Sequence, residues 1–275
     1  MSEIDNSLSR IPLVMAAKRA IEMERSDRLF EDYFAVQLAD SELTALIEKW
    51  QKQGGDIARC KALRTRFVAV RTRFFDDFLL SVVAQLRQVV ILGAGMDTRA
   101  FRLPWPSATH LYEVDRPEVL ERKNLVLKDS TPQCYREAIA ADLGQPWSHL
   151  LINKGYKPDL PTVWLMEGLL MYLNKPEVND LLKTISDLSV PGSYLGADLV
   201  SVKSLEVALK SNGLIRQHWR FGTDEPEKLF SIHGWQASVL QPGDEGANFG
   251  RYTKKLPSLE VPGLRRSFFV TARNW

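Results

Sequence analysis

The sequence predicts an α/β protein, with one doubly wound, mostly parallel sheet that carries added helices at its front and near its end. Three observations lead there. A fully apolar run, Val89-Val90-Ile91-Leu92, ends in the glycine turn Gly93-Ala94-Gly95, and a strand without polar alternation is one buried on both faces, as in parallel sheets. Further short apolar runs then alternate with helical patterns, the order that right-handed βαβ units produce. The chain has 275 residues, more than a typical domain of about 150, so the sheet domain must carry extra segments or a partner domain.

The front, from Pro12 to about Leu86, is helical. It holds one proline and one glycine pair, Gly54-Gly55. Leu63, Phe67, Val70, Phe74 and Phe78 recur at steps of three and four, which predicts one buried helical stripe. Arg59, Arg66 and Arg73 form a second stripe, with Arg64 and Arg71 beside it. It reads either as a solvated face or as the source of an arginine for an anionic ligand group. After the first strand come predicted strands at 110–114, 135–141, 162–166 and 194–199. Pro117 and Pro176 suit the first turns of the helices that follow two of them. Residues 201–230 interrupt the alternation with Gly213, Trp219, Gly222 and Pro226. Two late strands, 235–240 and 267–272, are joined by a glycine- and proline-rich stretch, and antiparallel pairing at one sheet edge is expected of them.

Composition narrows the function. Hydrophobic residues make up 45% and charged residues 25%, an ordinary globular balance. A net charge of +2 gives no field that favours nucleic acid or an anionic membrane. Cys60 and Cys134 form no C-x-x-C pair and the four histidines are scattered, so neither a disulfide framework nor a metal site is expected. The acidic, polar stretch 1–6 lacks the pattern of a signal peptide, and no apolar run approaches the roughly 18 residues of a membrane span. A cytoplasmic protein is the expectation.

The residues that carry chemistry follow the strands. A glycine turn lets a ligand approach the backbone closely. In the dinucleotide pattern G-x-G-x-x-G the third glycine position is Thr98 here, so that fingerprint is incomplete. Asp115 ends the second strand, 20 residues beyond Gly95, where an acid can accept from both ribose hydroxyls of an adenosine; it also suits a cap for the helix at Pro117. Asp142 ends the third strand and can accept from an adenine amino group while Leu143 covers the ring. Glu167 lies in the apolar stretch 164–173, where a charge must be paired or used, and a cationic ligand group would compensate it. Together these acids converge on the crevice beyond the carboxyl ends of the sheet.

Leu92-Gly-Ala-Gly-Met-Asp-Thr-Arg99, Tyr112-Glu-Val-Asp115, Ala141-Asp-Leu143 and Glu167-Gly-Leu-Leu-Met-Tyr-Leu173, in that order, resemble the leucine carboxyl methyltransferase family. They are also similar to its bacterial branch of S-adenosyl-L-methionine-dependent methyltransferases, which 70–77, Gly234-Trp235 and Phe249-Gly-Arg251 fit as well. The resemblance runs from about Arg59 to the C-terminus. It implies the class I, Rossmann-like methyltransferase fold: seven strands with an antiparallel last strand, an N-terminal helical cap at 1–87, and a cofactor-binding domain at 88–275 with a lid insertion at about 201–230. It implies cofactor contacts at Gly93, Gly95, Asp115, Asp142, Leu143 and Glu167. The arginine for the cofactor carboxylate matches Arg66 best, with Arg71 as the fallback. Eukaryotic members follow the Asp-Leu pair with an arginine that helps to hold the substrate carboxylate; Gly144 stands there in this chain.

The expected reaction is methyl transfer from S-adenosyl-L-methionine to a carboxylate or hydroxyl oxygen of a small-molecule or peptide-like acceptor. Tyr172 is the candidate on the acceptor side, and His218 and His233 are candidate bases. A nicotinamide-dependent oxidoreductase and a non-catalytic cofactor-binding module are the competing readings. The acceptor's identity and the oligomeric state are not legible.

Overall fold

Side chains of a strand point alternately to two faces, and both faces of the apolar strands are filled. A computed structural model describes residues 3–211, 213–253 and 256–275; Met1 and Ser2 of the polar N-terminal stretch and Asn212 of the 201–230 segment lie outside them. Seven strands form one sheet: β1 (Gln88–Leu92), β2 (His110–Asp115), β3 (Tyr135–Ala140), β4 (Val163–Met166), β5 (Tyr194–Val200), β6 (Trp235–Leu240) and β7 (Ser267–Asn274). Their order is β3-β2-β1-β4-β5-β7-β6, with β7 antiparallel to both neighbours and the other pairs parallel. This is the class I methyltransferase topology that the resemblance implied.

Among the described residues ten α-helices cover the sheet. In front of it stand α1 (Glu3–Met23), α2 (Phe34–Ala39), α3 (Ser41–Lys52) and α4 (Ile57–Val83). Between the strands lie α5 (Arg99–Arg102), α6 (Pro117–Val126), α7 (Ser148–Asn153), α8 (Lys175–Asp187), α9 (Val202–Leu209) and α10 (Pro226–Ser231). On one face Val90, Leu92, Trp164 and Met166 pack with Leu181, Leu182 and Ile185 of α8 and Phe230 of α10. On the other, Val89, Ile91, Val163 and Leu165 pack with Phe75, Phe78 and Leu79 of α4 and with Ala16 and Ala17 of α1. The front helices thus share the core of the sheet. Among the described residues no helix is long and apolar enough to cross a membrane, and both cysteines are free thiols.

Local signals place the key helices. Asp56 caps α4, its side chain accepting from the N–H groups of Ala58 and Arg59. A reciprocal capping box between Asn174 and Glu177 starts α8. The apolar stripe of α4 buries Val70 and Phe78, while Leu63 is 51% exposed, because the first turns of α4 rise past the sheet to the rim of a cavity.

Gly196 of β5 is what lets α4 lie so close. A Cβ there would sit 2.8 Å from the Phe78 ring and 3.2 Å from that of Phe75. Gly196→Ala is expected to cost about 1–3 kcal/mol by overpacking, read as a melting temperature lower by roughly 2–10 °C. An unchanged melting temperature would show that the α4–β5 contact is looser than described.

Candidate active site

The strand order reverses between β1 and β4, and at such a switch point a crevice opens beyond the carboxyl ends of the strands. The glycine turn forms its floor. Gly93 (φ 65°) and Gly95 (φ 47°) both take the left-handed conformation that glycine adopts without steric cost. Space is short as well, since a Cβ on Gly93 would lie 3.0 Å from Leu169 and one on Gly95 3.3 Å from Pro12 of α1. The front helix braces the turn a second time, through Arg19, which donates to the carbonyl of Met96 and pairs with Asp32.

Asp115 closes the β2 side. Its carboxylate accepts from the N–H of Gly95 at 2.6 Å and from that of Arg116 at 2.7 Å. Burial pushes its carboxyl above the usual range, and these two donors act against the rise. Each oxygen keeps a further lone pair, so the group can still accept from a diol.

Glu167, just past β4, is compensated from within. Its oxygens lie 2.9 Å from Nε of Arg71 and 2.7 Å from Nη2 of Arg99, contacts that have ion-pair distance but not hydrogen-bond angles. Arg71 also donates to Asp198 of β5 at 2.9 Å, and Asp198 accepts from the N–H of Gly168. Arg99 in turn holds Asp76 of α4 and Asp97. Burial opposes the charge of Arg71, but Asp198 and Glu167 outweigh it and keep the guanidinium charged. For Asp97 too burial acts upward, and Arg99 leads the cations that hold it at about 2. The charge in the apolar stretch is therefore paired within the protein, by Arg71 and Arg99, without a cationic ligand group.

Above the crevice lies a cavity of about 860 Å³. Gly93, Gly95, Glu167, Arg66 and Tyr172 all line it. The α4 arginines divide three ways. Arg71 is buried in the ion network, Arg73 pairs with Asp77 at the surface, and Arg66 faces the cavity over the Tyr252 ring at 4.6 Å. Arg66 has no acidic partner among the described residues, which favours it over Arg71 for a carboxylate. Burial pushes the Tyr172 phenol up to about 12, so it is protonated at neutral pH and has an O–H to donate. Asp115 is not among the lining residues, and Asp142 and Leu143 stand at the end of β3, likewise outside the lining. Asp142 is exposed and accepts from the N–H of Gly144 at 2.9 Å, and Leu143 packs on the core. No histidine is among the described lining residues, so neither His218 nor His233 is placed to act as a base there. The 201–230 segment contributes Ser211, 213–216 and Trp219 to the lining.

Three lining residues were not singled out in the sequence. Asp198 and Glu167 share one signal, an acid inside an apolar stretch. Arg99 ends the glycine-turn motif. Lys18 interrupts the apolar run of α1 and has no ion-pair partner among the described residues. Burial, then repulsion from Arg71, Arg216 and Arg64, lowers its pKa to about 8. An unfolded lysine holds its proton more tightly, so the folded state gains stability as pH rises from about 8 towards the unfolded value near 10.4. Lys18→Met is therefore expected to raise the melting temperature by a few degrees at pH 7, and by less at pH 10. A variant less stable than the parent at both pH values would contradict this.

Comparison with known proteins places this geometry. Residues 12–186 match the family model described as leucine carboxyl methyltransferase. A provisionally named S-adenosyl-L-methionine-dependent methyltransferase of Parafrankia sp. is 38% identical over 275 residues, covering 97% of this chain and 87% of that protein. One of Streptomyces coelicolor is 37% identical over 257 residues, covering 90% and 89%. Among solved structures, a DUF574-family protein of Streptomyces avermitilis superposes with a TM-score of 0.58 at 15% identity, over 92% of this chain and 99% of that one. A provisionally named methyltransferase of Thermobifida fusca gives 0.52 at 18% identity, over 76% and 82%. At these identities the two structures speak for the fold.

Proposed function

We infer the reaction from one premise: the chain belongs to the leucine carboxyl methyltransferase family. It is an S-adenosyl-L-methionine-dependent methyltransferase, and the acceptor atom we assign is an oxygen, carboxylate or hydroxyl, of a small-molecule or peptide-like acceptor. One observation supports oxygen in particular. Every acid lining the cavity, Glu42, Asp97, Glu167 and Asp198, is held by an arginine, and no histidine joins them among the described residues. An ammonium acceptor would find no free carboxylate or imidazole to deprotonate it and would meet a cation-rich wall. A carboxylate needs no base, and an acidic hydroxyl needs little help.

The residues fit the cofactor. The glycine turn leaves room for a ligand against the backbone, Asp115 has lone pairs for the ribose diol, and Arg66 offers an uncommitted guanidinium to a carboxylate. Glu167, whose contacts with Arg71 and Arg99 lack hydrogen-bond geometry, can accept from the ammonium. Asp142 and Leu143 would take the adenine. S-adenosyl-L-methionine supplies a methyl group on a positively charged sulfur, open to in-line displacement. The chain's own work is to position the acceptor oxygen, exclude water and donate a hydrogen bond to the acceptor from Tyr172.

The test is transfer of labelled methyl from S-adenosyl-L-methionine to fractionated bacterial extract. Mild alkali should then release labelled methanol from an ester, or the label should stay in an aryl or alkyl ether. Recovery of the label on nitrogen or carbon would overturn the oxygen assignment. Tyr172→Phe is expected to lower kcat about tenfold and to leave affinity for S-adenosylhomocysteine within about twofold. An unchanged kcat would remove Tyr172 from the acceptor side.

A further inference from the structure

The cavity holds more positive charge than its own acids answer. Arg10, Arg71 and Arg99 are engaged with acids that also line it, and Arg19 and Arg102 with Asp32 and Asp76 behind it. Lys18, Lys49, Arg64, Arg66 and Arg216 line the same space without an acidic partner among the described residues. A cofactor with a sulfonium, an ammonium and one carboxylate adds a further net positive charge, and its carboxylate accounts for one cation at most. Cations that face one cavity without acidic partners repel one another, and the effect is felt most at Lys18, the one withdrawn from solvent. They are stable together when an anion joins them.

Three of these cations stand on one part of the cavity wall, Arg64 with a neutral partner only, the Gln53 amide oxygen at 2.6 Å. Lys18 projects from α1, Arg64 from the rim end of α4, and Arg216 from the 201–230 segment. Lys18 feels the repulsion of both arginines. Flat aromatic walls stand beside them, with Arg64 5.6 Å from the Trp50 ring centre and Arg216 5.7 Å from that of Trp219. Both indoles line the cavity. The Trp219 Nε1 is shielded from solvent and lies near the Tyr172 hydroxyl without good hydrogen-bond geometry.

We propose that the methyl acceptor carries an anionic group other than the methylated oxygen, a carboxylate, sulfonate or phosphate, bound by Lys18, Arg64 and Arg216 beside the indoles of Trp50 and Trp219. The subsite rests on the methyltransferase reading above, and it narrows the acceptor to flat, anionic molecules. Arginine forks suit planar or tetrahedral oxyanions. The position at the rim lets the anion steer the acceptor in, reactive oxygen first.

The experiment uses a matched pair of fluorescent probes on the whole protein saturated with S-adenosylhomocysteine. 1-Anilinonaphthalene-8-sulfonate is flat and anionic, and N-phenyl-1-naphthylamine is nearly the same body without the charge. The sulfonate is expected to bind about tenfold more tightly than the neutral probe, and the double variant Arg64→Gln, Arg216→Gln to lose that difference. Both arginines are exposed at the rim, so the variant should fold, and its affinity for S-adenosylhomocysteine should stay within about twofold. Equal affinity for the two probes, or a preference that survives in the double variant, overturns the anionic subsite and leaves the methyltransferase reading standing. Failure of the parent protein to bind S-adenosylhomocysteine overturns that reading and this subsite with it.

Discussion

Asp115→Ala is expected to weaken binding of S-adenosylhomocysteine by about two to four orders of magnitude, from two lost hydrogen bonds to a charged acceptor at about 1.5–3 kcal/mol each. The position explains the size. Asp115 sits at the end of β2, and the Gly95 N–H and the Arg116 N–H fix its two oxygens, so the ribose diol meets an acceptor that needs no reordering. The fold should tolerate the change, because β2 is held on both sides by parallel ladders and the freed N–H groups lie at the crevice. Asp115→Asn, which keeps one acceptor, should lose less. Calorimetric titration of the three proteins, with a melting curve for each, reads the effect. A folded alanine variant with parental affinity would remove Asp115 from the cofactor site.

Arg71→Met is expected to lower stability by about 3–5 kcal/mol, the usual cost of stripping one partner from a buried ion pair, which is roughly 10 °C in melting temperature. Glu167 would keep Arg99, but Asp198 would keep only the Gly168 N–H. Burial already pushes the Asp198 carboxyl above the usual range, with Arg71 first among the groups opposing the rise. Without Arg71 that carboxyl rises further above its unfolded value. A group raised in this way adds stability at low pH and loses it as pH rises through the folded value. The deficit of the variant should thus be smaller at pH 5 than at pH 8, as scanning calorimetry at both would show. A deficit that does not change with pH would mean that lost packing, and not an orphaned carboxylate, is what Arg71 prevents.

The sheet was legible because its strands announce themselves locally. Val89-Val90-Ile91-Leu92 had to be buried on both faces, and strand alternation places Val90 and Leu92 on one side and Val89 and Ile91 on the other. Helix starts at Pro117 and Lys175 followed from single residues that favour first turns. The acids at the ends of β2 and β4 could be placed in the crevice from strand order alone. What could not be read was which cation answers which acid. Glu167 finds its counter-ions on α4 and α5, at Arg71 and Arg99, and no local pattern reports a pairing made by tertiary packing. Lys18 belongs to the same class, since only the docking of α1 over the glycine turn brings it to the cavity. The arginine stripe of α4 was ambiguous for a further reason. Arg66 and Arg73, seven residues apart, lie on one face of α4 yet end at the cavity and at the surface, and Arg71, about 140° round the helix from Arg66, turns to the core.

Backbone hydrogen exchange, followed by mass spectrometry with and without saturating S-adenosylhomocysteine, tests most directly whether the strand-end crevice holds the cofactor. The expected result is slowed exchange in four places at once: 93–98 after β1, 115–117 after β2, 142–145 after β3 and 167–172 after β4. Saturable binding that leaves all four unchanged and protects another part of the sheet would contradict it.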